Sequence, residues 1–235
     1  MIILNCQTGR MSNHKIMQAH VMAVALTRGE RWLVAGDTWF WRLEAATVGR
    51  IWNKCVRMMK PAEGSRNRCF RLPGLTIVHG WTELRDFEAM KKFGDRIREE
   101  FNHGKHEVHG REWEKGEVVV GIHKRRGDYR TWQGGKYFYG DEVWDRVMRE
   151  MEEEIKVKVR GEGKEGVKVR FEIFSDENVK RSAEEDQSLM SQCDYIIGPP
   201  STFSAWASFM GKVPLLHLMS AGQTVRLSEF VNRWV

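Results

Sequence analysis

His123, Arg125, Arg126 and Asp128 fall within one short segment, directly after the apolar run Val118-Val119-Val120. A short, wholly apolar run suits a strand buried on both faces. Open α/β sheets bind ligands at the carboxyl ends of such strands, so this one would deliver an imidazole, two guanidinium groups and a carboxylate into a crevice. Neighbouring guanidinium groups need an anion or a carboxylate to answer their charge. A diphosphate suits them, because the rigid guanidinium fork donates to phosphate oxygens in pairs. Consecutive side chains of an extended segment point to opposite sides. Arg125 is therefore assigned to the ligand, and Arg126 to a structural pair with Asp128 or another acid. A surface cluster of ion pairs is the plain alternative.

Two further segments place polar groups where a strand turns into a helix. Ile2-Ile3-Leu4 reads as a strand running into Gln7-Thr8-Gly9-Arg10-Met11-Ser12-Asn13-His14. The helix expected next runs to Arg28, capped by Ser12 or Asn13, with Ile16, Ala19, Met22, Ala23 and Leu26 on one face. Such a helix start gathers N–H groups and the positive end of the helix dipole, which is an anion site; an ordinary βα turn has the same pattern. Further on, Tyr195-Ile196-Ile197 reads as a strand, Pro199-Pro200 as a stop, and Ser201-Thr202 as the cap of a helix to Met210. Between them Phe171-Glu172-Ile173-Phe174 runs into Ser175-Asp176-Glu177, a strand ending in an acid, Asp176, of the kind that more often caps a helix.

His123-x-Arg125-Arg126-x-Asp128 resembles the first signature of the fucosyltransferases that use GDP-fucose, namely the α1,2-, α1,6- and protein O-fucosyltransferases. Gly9 to His14 is similar to the Gly-Arg-x-Gly-Asn-Gln turn that opens the α1,2 and protein O groups, with Ser12 for the second Gly and His14 for the Gln. Ser201-Thr202-Phe203-Ser204 after an apolar strand looks like the third signature. Trp81 to Asp86 falls where bacterial α1,2 members carry an aromatic-x-x-Arg-Asp stretch. The resemblance spans residues 2 to 217 and is strongest to the bacterial-type α1,2 enzymes of glycosyltransferase family 11.

That resemblance implies an α/β fold of GT-B type, two Rossmann-like halves with a cleft between them. It places the donor diphosphate on Arg125, Ser201, Thr202 and Phe203, with Arg10 and Asn13 near the sugar and diphosphate. Guanine would face Asp176 and His123, since one carboxylate accepts the N1–H and N2–H donor pair. Arg126 and Asp128 support the site. The implied reaction is an inverting transfer of L-fucose from GDP-β-L-fucose to a hydroxyl of a glycan, in α1,2 linkage to galactose. Arg125 and the helix start would stabilise the leaving diphosphate more than the ground state. Arg125, Asn13 and Arg10 are the catalytic candidates. No Asp-x-Asp triplet occurs, so neither a metal nor a cofactor is expected. In the α1,6 group a Glu follows the motif His by about ten residues as base; that place is Gln133 here, and Glu83, Asp86, Asp37 and His14 stay open. Tyr129, Lys136 and Tyr137 either shape the donor pocket or pack at the surface.

The elements needed to hold these residues alternate along the chain. Strands are expected at 2–6, 32–34, 75–79, 117–123, 167–174, 195–197 and 213–217, and helices at 13–28, 83–101, 141–154, 178–190 and 202–210. Ile155 to Arg160 and Val167 to Phe174 alternate at period two around a Gly-rich turn, which predicts a hairpin or a frayed loop before the buried strand. Glu152-Glu153-Glu154 reads as a solvated face. Residues 38–72 are rich in Trp and Arg with little period; Trp39, Trp41, Trp52, Met58 and Met59 read as core or groove lining. His103, His106 and His109 lie on a polar, Gly-flanked loop with no fixed geometry, a linker rather than a metal site. The expected domains are 1–112, acceptor-side, and 113–235, GDP-sugar-binding.

Composition fits. With 41% apolar residues and 10 Trp among 235, there is material for two cores. The net charge of +6 suits nucleotide diphosphates, and equally nucleic acid or an anionic membrane. Basic residues are spread through the chain rather than gathered in a stripe, which argues against a nucleic-acid-binding module. A glycosyltransferase using another sugar nucleotide stays open, since diphosphate contacts do not read the sugar. Cys6, Cys55, Cys69 and Cys193 lack metal spacing; Cys6 and Cys193 read as buried strand thiols, favouring a reducing compartment. No apolar run approaches the roughly 20 residues of a spanning helix. A cytoplasmic location, with peripheral contact at the inner face of a membrane, is expected, with a GDP-sugar and a glycan as partners.

Overall fold

A computed structural model describes residues 2–5, 11–35, 68–79, 85–102, 116–163, 166–177 and 181–232. Arg10, Cys6, Asp37, Trp81 to Leu84, residues 38–67 and the His103 to Gly110 loop lie outside the described residues. The chain forms two compact units, 1–103 and 104–233. Each is α/β, as expected.

In the first unit, β1 (Ile2–Asn5) pairs in parallel with β2 (Trp32–Ala35) and β4 (Leu75–His79), while β3 (Arg68–Leu72) pairs antiparallel with β4. The β3–β4 hairpin closes over Pro73-Gly74, where Gly74 takes φ 75°, a conformation open to glycine at no steric cost. β3 is not among the strands expected from the sequence, and the Pro-Gly pair is its signal. Helix α1 (Met11–Arg28) lays Met17, Val21, Val24 and Ala25 on Ile2 and Val78. It begins two residues earlier than expected, so Ser12 and Asn13 lie in its first turn rather than at its cap. The single helix expected at 83–101 is two, α2 (Phe87–Lys92) and α3 (Gly94–Asn102), broken at Phe93. Asp86 caps α2, its carboxylate accepting the Ala89 N–H at 2.8 Å.

The second unit holds a parallel sheet in the order β6-β5-β7-β8, made of β5 (Glu117–Lys124), β6 (Lys168–Ser175), β7 (Tyr195–Gly198) and β8 (Leu215–His217). Helix α4 (Asp141–Gly161) covers one face with Trp144, Val147, Met151 and Ile155 against Val120, Ile122, Ile197 and Leu216. Helices α5 (Ala183–Met190) and α6 (Thr202–Gly211) complete the unit, with Met190, Trp206 and Phe209 fully buried.

Two expectations fail along α4. Ile155 to Gly161 continue the helix instead of forming a hairpin strand. The spacing shows why: Ile155 is 2% exposed while Val157 is 68% exposed, and Val159 packs back on the core, a helical i, i+4 face rather than a strand face. Glu154 is not merely solvated either. Its carboxylate accepts the Leu227 N–H at 2.9 Å, as Glu150 accepts that of Val225 at 2.8 Å, and the two tie the C-terminal segment to the helix.

Candidate active site

In the second sheet β5 comes first in the chain, β6 lies on one side of it and β7 on the other. That reversal of direction is a topological switch point, where the carboxyl ends of neighbouring strands open a crevice for a ligand. The end of β5 carries His123 and Lys124, followed by Arg125 and Arg126; β7 runs through Gly198 to the start of α6. These ends are close-packed. A Cβ on Gly198 would stand 2.8 Å from that of His123, so only glycine lets β7 approach. The His123 ring lies 5.1 Å from that of Phe203, and the Tyr129 hydroxyl donates to the Pro200 carbonyl at 2.5 Å.

Arg125 sits with its guanidinium 5.2 Å from the Tyr129 ring centre and donates to Asp128 at 2.7 Å. Its Nε is buried without a hydrogen-bond partner and stands 3.9 Å from Asp176. A donor left unmatched in the protein is costly unless something else accepts from it. Arg126 turns the other way, to Asp141 and, at 4.0 Å, to Glu177. Of the two partners open to Arg126, the other acid is therefore realised, and Asp128 belongs to Arg125. Asp176 binds the loop backbone: its two oxygens accept the N–H groups of Arg126 at 2.9 Å and Gly127 at 3.0 Å.

Ser201 is the cap of α6, accepting the Phe203 N–H at 3.2 Å, and Thr202 is its first helical residue. His123 is 3% exposed, and its Nδ1 has no partner. Burial pushes its pKa down to about 3; the positive charge of Arg125 acts in the same direction and Asp176 opposes it. The imidazole is thus neutral at physiological pH and available as a hydrogen-bonding group rather than a charge. His217, at the end of β8, comes within 3.5 Å of Ser204. Sequence reasoning missed three contributors, Asp141, Glu177 and His217; the last has the signal of a lone His ending an apolar strand.

Glycosyl transferase family 11 matches residues 61–223, more than two thirds of the chain. The chain belongs to that family. Among curated relatives it is 28% identical to the galactoside alpha-(1,2)-fucosyltransferase 1 of Alouatta belzebul over 134 residues, covering 52% of this chain and 34% of that protein. With the enzyme of the same name from Ateles belzebuth it shares 28% over 150 residues, 58% of this chain and 38% of the relative. The matched stretch spans little more than a third of those relatives' length. A crystal structure of NodZ alpha-1,6-fucosyltransferase soaked with GDP-fucose is similar over 99% of each chain, at a TM-score of 0.49 and 12% identity.

The family match covers all of the β5, β6 and β7 ends and α6, and leaves out Asn13. Asn13 belongs to the first unit, on α1, and Arg10 lies outside the described residues. Of the open base candidates, Asp86 is engaged as a cap and His14 lies on α1, its Nε2 buried without a hydrogen-bond partner, while Asp37 and Glu83 lie outside the described residues. Among the described residues no group of three or more His, Cys, Asp or Glu could hold a metal ion, and no helix is long and apolar enough to cross a membrane.

Proposed function

We propose that this chain carries the donor site of a fucosyltransferase that moves L-fucose from GDP-β-L-fucose to a galactose hydroxyl of a glycan, with inversion and without a metal. The observation that carries the proposal is Arg125: a half-buried guanidinium just past β5 at the sheet's switch point, its Nε buried without a hydrogen-bond partner, on the sheet whose β7 leads into α6. An anion placed there gains a charge-assisted bond from Arg125 and the favourable end of the α6 dipole. As the anomeric bond breaks, charge grows on the diphosphate oxygens, and both groups stabilise it without reorganising. Asp176 keeps one lone pair on each oxygen beyond its backbone bonds, which suffices for a guanine donor pair, and neutral His123 offers a further contact. Ser201 and Thr202 take the phosphate side, and the roles near the sugar and diphosphate that the resemblance gives Asn13 and Arg10 belong to the same proposal. Cytoplasmic location and peripheral membrane contact belong to the same proposal.

The galactoside and the linkage come from the relatives' names; the donor sugar is the most separable part. Incubating the chain with lactose and, in turn, GDP-fucose, GDP-mannose and UDP-galactose in EDTA tests it. The reading expects product from GDP-fucose alone, with NMR showing an α1,2-linked fucose. Turnover of another donor would make the chain a related glycosyltransferase, and product only after magnesium is restored would remove the metal-independent mechanism.

A further inference from the structure

The column of rings that begins at Arg125 does not end at the buried Tyr129. Trp132 lies 4.7 Å from Tyr129 and 5.5 Å from Tyr137, both rings tilted about 30° to the indole. Lys136 in turn caps Tyr137 at 5.1 Å. Unlike Tyr129 and Tyr137, which are buried at 6% and 7%, Trp132 is 39% exposed. It is the one exposed Trp or Phe of the second unit among the described residues. An indole needed only to fill the core would be covered; this one is held at the surface by two stacked phenols.

The backbone that presents it is unusual. Gln133, Gly134 and Gly135 take φ of 49°, 68° and 78° in succession. For glutamine this left-handed conformation is disfavoured, and it persists only where the surroundings impose it, which happens most at binding sites. The loop is also tightly folded, since a Cβ on Gly135 would meet the Arg130 carbonyl at 3.0 Å. From the two stacking distances, the indole lies within about 10 Å of the Arg125 guanidinium. An in-line acceptor hydroxyl meets the anomeric carbon on the side opposite the leaving diphosphate oxygen, and the acceptor's own ring, lying beyond that hydroxyl, reaches a distance of the same order.

Resting on the fucosyltransferase reading, we propose that Trp132 is an acceptor-binding residue that stacks against a β-galactoside, so that the donor unit itself orients the acceptor. β-Galactose suits an indole because its axial 4-hydroxyl leaves the C–H bonds of carbons 3, 4 and 5 on one face. That apolar face covers aromatic surface while the hydroxyls of the other face stay available for transfer. The neighbouring Gln133 amide, exposed beside the ring, has both a donor and an acceptor to offer them.

Initial rates with GDP-fucose and varied lactose, for the wild type and for Trp132→Ala, Trp132→Leu and Trp132→Phe, test this, together with a GDP titration of each. The Ala and Leu variants should raise the lactose KM about tenfold while GDP affinity stays within about twofold, and Phe should recover most of the loss. If Ala does not fold, Leu carries the comparison, since it keeps apolar volume on Tyr129 and Tyr137. Two results overturn the inference: an unchanged lactose KM, or a loss of GDP binding in step with it, which would make the indole a support for Arg125. A wild type that binds no GDP-fucose removes the underlying reading as well, so the two failures are distinct.

Discussion

Arg125 and Arg126 are adjacent in sequence and opposite in task, and the acids around them make the division. Arg126 is held between Asp141 and Glu177, and Arg125 pairs with Asp128 and stands 3.9 Å from Asp176; the Nε of each is buried without a hydrogen-bond partner. Their separation was legible from the two-residue period of extended backbone. The identity of the partners was not, because Asp141 and Glu177 arrive from other elements. Asp176 shows the same limit: its place at the end of β6 could be read, but not that both its oxygens hold the loop. This leads to a first prediction. Asp176→Asn presents one acceptor where two N–H groups need one each, so it should destabilise the second unit by about 1–3 kcal/mol in urea unfolding. A variant as stable as the wild type would show that the loop is held by other means.

At the scale of elements, β5 and β7 were legible because strands buried on both faces are apolar throughout, and α6 because Pro199-Pro200 and Ser201 punctuate its start. The end of α4 misled because Ile155, Val157 and Val159 are β-branched and alternate with basic residues, while packing beneath the helix selects only the first and third. Ile155→Ala should therefore cost about 2–5 kcal/mol and Val157→Ala less than about 0.5 kcal/mol. Equal costs, measured by chemical denaturation, would restore the strand reading. Close approach of β5 and β7 gives another test. In Gly198→Ala the new methyl meets His123 at 2.8 Å in the middle of a packed sheet. Thermal unfolding should show a loss of about 1–3 kcal/mol, and an unshifted transition would mean the strands separate freely.

For the whole molecule, each unit buries one histidine among its described residues, and both are held neutral by burial. In the first, His20 is 1% exposed and accepts the Asp86 N–H at 3.2 Å; burial lowers its pKa to about 4, with Arg85 adding to the effect and the Asp86 contacts opposing it. In the second, His123 is lowered to about 3 among Arg125, Asp176 and His217. Unfolded histidine titrates near 6.5, so above that pH neither contributes. As pH falls from 6.5 toward 4, the unfolded chain binds protons that the folded one refuses, and stability falls by roughly 3 kcal/mol per unit. Urea unfolding from pH 7 to 4 should show this decline, reduced in the first unit by His20→Asn; a flat profile would contradict it. The α/β class was readable from alternating apolar segments and charge-rich breaks.

A diphosphate site built from Arg125 and the start of α6 is the centre of the proposed function. Calorimetric titration of GDP and GDP-fucose in EDTA, into the native chain and into Arg125→Ala, tests it most directly. Native binding that survives EDTA, with affinity lost by about ten- to a hundredfold in the variant, is the predicted result. A folded native chain that binds neither nucleotide, or a variant that binds as well as the native chain, would contradict it.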